Sequence, residues 1–125
     1  MNATEIILYV CDQARARRFY AEVLCDAPTL DVEGMTAFEL GGVTLGLMPA
    51  DDIAGLVNGI APGSGQRCEL YLRRPDAAAV LARVEMAGGR VLDGLALRPW
   101  GESVGYALDP DGHVLAVAVL ADSRD

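Results

Sequence analysis

Arg98-Pro99-Trp100-Gly101, Tyr106-Ala107-Leu108-Asp109-Pro110-Asp111-Gly112-His113 and Val114-Leu115-Ala116-Val117-Ala118-Val119 form the stretch whose reading decides the fold. It predicts a strand over 103–108, a turn at Asp109-Pro110-Asp111-Gly112 and a last apolar strand over 113–119. Proline presets φ early in such a turn, glycine accepts positive φ, and aspartates bond the turn amides. Asp109 and Asp111 are therefore assigned to the turn, and His113 to its solvated edge.

Working outward, the chain repeats one grammar. Glu5-Ile6-Ile7-Leu8-Tyr9-Val10 is β-branched and aromatic, which favours a strand. Asp12 suits a helix N-cap, and a helix is expected over 13–25 with Ala14, Phe19, Val23 and Leu24 on one side. Short strands follow near 29–33, 35–40 and 43–48, with Gly41-Gly42 as a hairpin turn. The second half begins with Arg67-Cys68-Glu69-Leu70-Tyr71-Leu72 as a strand. Pro75-Asp76 opens a helix over 77–86, which Gly88-Gly89 ends. Arg90-Val91-Leu92-Asp93 precedes the final hairpin. Leu8-Tyr9-Val10 aligns with Leu70-Tyr71-Leu72, so the halves read as a repeat: about 4–48, a linker over about 49–66, and about 67–120, in one domain spanning 1–125. The linker carries a short helix over 51–57 and the flexible Ala61-Pro62-Gly63-Ser64-Gly65.

Composition narrows the function. The chain has 125 residues, of which 52% are hydrophobic, enough to bury a core. The net charge is −8 and the basic residues form no stripe, which argues against nucleic acid as a partner. No apolar run is long enough to span a membrane, and the N-terminus lacks a basic signal-peptide region, so a cytoplasmic location is expected. Cys11, Cys25 and Cys68 make no disulfide framework and no CxxC pair, and Cys68 reads as a small buried hydrophobe.

A tandem βαβββ chain with these motifs resembles the vicinal oxygen chelate superfamily, which holds glyoxalase I, extradiol dioxygenases and bleomycin-resistance proteins. The resemblance rests on Tyr9-Val10-Cys11-Asp12, Arg18-Phe19-Tyr20-Ala21-Glu22-Val23-Leu24, Ala87-Gly88-Gly89-Arg90-Val91, Pro99-Trp100-Gly101 and the 106–113 stretch. It implies an α+β fold in which curled mixed sheets form a cup with the helices outside. Strand alternation then packs Ile6, Leu8, Val10, Val43, Leu45, Leu47, Cys68, Leu70, Leu72, Leu115, Val117 and Val119 on the helix side, together with Phe38 and Tyr106. Glu5, Tyr9, Met48, Arg67, Glu69 and Tyr71 face the cup, with Trp100 near its rim.

By the same resemblance, the enzymes' four metal-ligand positions fall on Glu5, Gly46, Arg67 and Ala116. Glycine and alanine carry no donor, and arginine is cationic, so no metal and no other cofactor is expected. The reading most similar to the bleomycin-resistance branch is a metal-free protein that sequesters an aromatic or cationic antibiotic-like ligand. The lining Glu5, Tyr9, Met48, Arg67, Glu69, Tyr71 and Trp100 would supply stacking surfaces and carboxylates. An alternative within the residues is metal-independent lyase or isomerase chemistry, with Glu5 or Glu69 as general base. Arg67 could instead pair with Glu5 or Glu69 and leave the cup floor structural. The resemblance also implies a homodimer.

Overall fold

The computed structural model describes residues 2–120. The chain runs β1 (Glu5–Val10), α1 (Gln13–Leu24), β2 (Leu30–Val32), β3 (Met35–Glu39), β4 (Thr44–Pro49), α2 (Ala50–Leu56), β5 (Glu69–Arg73), α3 (Ala77–Met86), β6 (Arg90–Leu97), β7 (Glu102–Leu108) and β8 (Val114–Leu120). It is an α+β fold with two four-stranded mixed sheets, ordered β1-β4-β3-β2 and β5-β8-β7-β6. The βαβββ order thus occurs twice. In each sheet the first strand pairs in parallel with the last, and the other pairings are antiparallel.

The two long helices bury the same pattern. Ala16, Phe19, Tyr20 and Val23 line α1, and Ala77, Val80, Leu81 and Val84 line α3. Both sets fall at i, i+3, i+4 and i+7, the apolar stripe of a surface helix. Ala14 is exposed, so the stripe lies around from the expected one. Asp12 caps α1 by accepting from the Arg15 amide, whereas Asp76 makes no capping bond to α3. The helices pack on each other. A single buried cluster joins them to Leu8, Val10, Phe38, Leu45 and Leu47 of the first sheet and to Ala107, Leu115 and Val117 of the second. Arg83 of α3 also donates through Nε and Nη2 to the Val23 carbonyl of α1, at 3.2 and 3.1 Å. Such a carbonyl in a last helical turn has no partner within its own helix. The two halves therefore meet through their helix sides, and the opposite faces of both sheets stay open.

The turn 109–113 is a second join. Asp109 Oδ1 accepts from the amides of Asp111 and His113, both at 2.9 Å, and Oδ2 accepts from the buried Tyr20 hydroxyl at 2.6 Å. Burial, then the nearby Asp109 charge, pushes the Tyr20 phenol well above its ordinary value. Asp111 Oδ1 accepts from the Cys11 amide at 2.8 Å and pairs with Arg15 at 3.4 Å. His113 is not the solvated residue expected. It is half-buried, with Nε2 lying 2.9 Å from the Tyr9 carbonyl oxygen.

Other expectations also shift. The Gly41-Gly42 turn has the positive φ pair, 82° and 97°, that a tight hairpin favours. The fifth strand, however, begins at Glu69, not Arg67. Among the described residues it pairs with β8 alone, whose first residue Val114 meets Glu69, so Arg67 and Cys68 have no ladder to join there. Both are exposed, and Cys68 is not a core residue. Ile6 is exposed as well. Strand β6 runs on to Leu97 through two register irregularities, where Gly94 interrupts the alternation that a sequence reading needs. Tyr106 pairs with Ala116 and lies on the open face, because the turn closes between Asp109 and His113 and sets Leu108 opposite Val114.

Candidate functional site

The open face of the second sheet is built on small residues. Across it run the rows Tyr71, Ala116, Tyr106 and Arg73, Ala118, Val104. The alanines leave room for their large neighbours to fold inward. Val104, Ala116 and Ala118 are buried, with Tyr71 and Tyr106 packed over them. Among the described residues this cluster draws none from the first sheet.

Glu102, the first residue of β7, organises the same face. Its Oε1 accepts from the Tyr71 hydroxyl at 2.5 Å, and its Oε2 accepts from Arg73 Nε at 2.7 Å. The Glu102 side chain is 6% exposed and that of Arg73 is 70% exposed. The hydrogen bond from Arg73, then that from Tyr71, holds the Glu102 carboxyl below its ordinary value. Desolvation, reinforced by the bond to Glu102, raises the Tyr71 phenol. At neutral pH the pair is carboxylate and phenol. The Arg73 guanidinium lies 4.8 Å from the Tyr71 ring centroid.

The β6–β7 turn delivers Trp100 to this network. The Arg98 amide donates to the Glu102 carbonyl at 2.8 Å, the Gly101 amide donates to the Arg98 carbonyl at 3.0 Å, and Gly101 adopts φ 93°. Arg98 braces the turn from below by donating to the Val104 carbonyl and pairing with Asp93. Its guanidinium sits 5.1 Å from the Tyr106 ring centroid. Trp100 remains 55% exposed, and its indole N–H donates to the Tyr71 hydroxyl oxygen at 2.9 Å.

The first sheet's open face is different. Its rows are Ile7, Gly46, Ala37, Leu30 and Tyr9, Met48, Met35, Val32, with Glu5, Thr44 and Glu39 at one end. The side-chain bond on it is Thr44 to Glu39, at that end. Leu30 and Val32 are exposed and Met35 and Met48 half-exposed. A shallow groove at the start of α1, lined by Asp12, Gln13, Arg17 and Asp31 among others, is not a comparable site. Gln13 fills its hydrogen bonds there with Val32, Gly34 and Thr36, and Arg17 pairs with Asp31.

Of the residues expected to line the cup, Tyr71 and Trp100 are brought together. Glu69 lies on the same face but is exposed at the start of β5. Tyr9 and Met48 are paired neighbours on the first sheet's face, and Glu5 is exposed at its end. Arg67 precedes β5, and it has no ion pair with Glu5 or Glu69 among the described residues. The sequence reading missed Arg73 and Glu102. Continuing the alternation of β5 by one step past Tyr71 would have found Arg73. Glu102 carried no local signal, since a glutamate after Pro99-Trp100-Gly101 reads as part of a loop.

The comparisons agree with this architecture. The family model for the glyoxalase/bleomycin resistance protein/dioxygenase superfamily matches residues 3–117. The chain belongs to this superfamily. Its structure is similar to that of a glyoxalase-related enzyme from Fulvimarina pelagi, with TM-score 0.83 and 25% identity over 94% of this chain and 87% of that one. A family enzyme from Burkholderia phytofirmans PsJN shares the fold, with TM-score 0.83 and 14% identity over 94% and 97%. An Agrobacterium tumefaciens protein solved by NMR matches with TM-score 0.76 and 26% identity over 97% and 98%. No curated protein sequence matches the chain.

The metal that the superfamily's enzymes use can be tested against these residues. A Cβ on Gly46 would fall 2.5 Å from Ile7 Cδ1 and 2.6 Å from Glu5 Oε2, so neighbouring side chains already cover that position. Ala116 is buried and lacks a donor, and Arg67 lies outside β5. Among the described residues no three His, Cys, Asp or Glu side chains converge. The donor set does not fit a divalent metal, which needs several N, O or S ligands.

Proposed function

We propose that this chain is a metal-free small-molecule-binding protein of the superfamily, which sequesters a planar aromatic, antibiotic-like ligand. The observation that carries the reading is the Trp100–Tyr71–Glu102–Arg73 network. It offers an exposed indole tied by its N–H to Tyr71, which itself packs with Tyr106 on the buried Val104, Ala116 and Ala118. A surface fixed beforehand loses little freedom when a ligand stacks on it.

The same network favours binding over acid–base turnover. Glu102 stays ionised and Tyr71 stays protonated near neutrality, so neither is poised to exchange a proton. Glu5 and Glu69, the carboxylates that an enzyme reading would use, are exposed at strand starts. Nor does the face suit a cationic ligand. Guanidinium groups already stand over Tyr71 and Tyr106, and Glu102 is already paired.

A homodimer belongs to the proposal. The helix sides are consumed within the chain, and the first sheet leaves an apolar face that ends in Glu5 and Glu39. The second sheet's face carries Arg73. Apposed across a two-fold axis, each copy's first face would cover the other's second face and close a cup over the ligand. No described helix is long and apolar enough to cross a membrane. A cytoplasmic location fits the three free cysteines, which stay reduced there. Neither nucleic acid nor membrane is proposed as a partner.

Equilibrium dialysis against a panel of planar aromatic antibiotics tests the reading. A bound compound should lose about 1–3 kcal/mol of affinity in Trp100→Ala and in Tyr71→Ala, with the fold intact by circular dichroism. Unchanged affinity in both variants would remove the network from the site.

A further inference from the structure

Arg73 has a geometry that the stacking reading does not use. Its Nε and Nη2 are turned toward Glu102, at 2.7 and 3.5 Å from the two carboxylate oxygens. Its Nη1 has no partner among the described residues, and the side chain is 70% exposed toward the open face. An arginine carries five N–H donors in a planar fork, so a free edge remains after one carboxylate is bound. An unbraced surface arginine loses side-chain freedom when it grips a ligand. Here the buried Glu102 and the Tyr71 ring already hold the guanidinium in place.

Trp100 and Arg73 are joined through the same two groups. The indole is tied to the Tyr71 oxygen, that hydroxyl to Glu102 Oε1, and Arg73 to Glu102 Oε2. A flat surface and a free guanidinium edge therefore share one rigid frame. We infer that Arg73 forms an anion subsite beside Trp100, so that the ligand taken by this face is a planar aromatic carboxylate or similar oxyanion. This rests on the binding reading above and names the ligand class of the same site.

The chain's net charge of −8 opposes any anion at long range. At about 0.15 M salt that field is screened beyond roughly 8 Å, whereas a direct guanidinium–carboxylate contact is much shorter. Local geometry therefore decides. The Glu102 charge is met by Arg73 and by the Tyr71 hydroxyl together, which leaves the outer edge of Arg73 as the donor surface for an incoming oxyanion.

Trp100 is the chain's single tryptophan, so its fluorescence reports on this face directly. The purified protein would be titrated with 4-nitrobenzoate and, separately, with the neutral isostere 4-nitrobenzamide, with quenching corrected for absorption. The expected result is binding of the acid at least tenfold tighter than the amide. Tenfold corresponds to about 1.4 kcal/mol. In Arg73→Met the acid should lose its preference and bind no more tightly than the amide does to the same variant. Arg73→Lys, which keeps the charge and loses the fork, should retain part of the preference. Equal binding of acid and amide by the natural protein would overturn the anion subsite and leave the aromatic-binding reading standing. A preference for the acid that survives in Arg73→Met would also overturn it. Absence of quenching by either probe would overturn the subsite together with the stacking surface beneath it.

Discussion

The two open sheet faces have the same strand order and opposite character. The second is crossed by side-chain hydrogen bonds that link Trp100, Tyr71, Glu102 and Arg73. The first presents Ile7, Leu30, Val32, Met35 and Met48 with almost no polar restraint. One repeat thus holds its face in a fixed polar network, and the other keeps an apolar surface that such bonds do not hold. Methionine suits such a surface, because its flexible thioether fills uneven gaps. The difference arises from a few substitutions on one backbone plan. Alanines in the middle row of the second sheet let tyrosines fold over them, and Glu102 then has donors within reach.

The strongest way to break this contrast is to charge the apolar face. Ile7→Asp places a carboxylate in the row that would meet the partner copy, beside Gly46. If the chain dimerises as proposed, its dissociation constant should rise by on the order of 100-fold, with the monomer still folded. Sedimentation equilibrium reads this directly. An unchanged association state would mean that the first face is not the cover.

A smaller effect tests the locked face. The Glu102 carboxyl is held below its ordinary value of 4.5 by Arg73 first and Tyr71 second. A depressed carboxyl contributes stability above its unfolded value, and that contribution is lost as pH falls through the lower folded value. Glu102→Gln should therefore be less stable than the natural protein near neutrality. The gap should narrow below about pH 4.5 as the natural glutamate takes up its proton. Melting temperatures measured between about pH 7 and pH 3 should converge. Parallel curves would show that the carboxylate is not held as described.

The smallest effect concerns the softness of the first face. A Cβ on Gly46 would meet Ile7 Cδ1, Glu5 Oε2 and Met35 Sδ, all free ends of side chains that can turn away. Gly46→Ala should cost less than about 1 kcal/mol in urea unfolding, below the 1–3 kcal/mol usual for overpacking. A larger loss would show that this face is as rigid as the other.

Much of the fold was legible because its signals are local. The helix stripes, the Gly41-Gly42 turn and the Asp109–Gly112 turn each declare themselves within a few residues. Where strand pairing decided the outcome, the reading slipped. Arg67 and Cys68 alternate like a strand but have no partner on β8, and Tyr106 lies on the face set by its pairing with Ala116. The site was half visible. Tyr71 and Trp100 could be named as aromatics near one surface, but their link runs through Glu102, and contacts of that kind depend on the register of three strands. His113 misled for the same reason, since its partner is the Tyr9 carbonyl in the other half of the chain.

If the proposed aromatic ligand is bound without the metal that the superfamily's enzymes use, the purified protein should carry none. The most direct test is the metal content of protein purified without chelator or histidine tag, joined to a thermal-shift titration with nickel, zinc, manganese and iron(II). The expected result is no stoichiometric metal and no shift in melting temperature. One metal per chain, with stabilisation that grows with metal concentration as linkage requires, would contradict it.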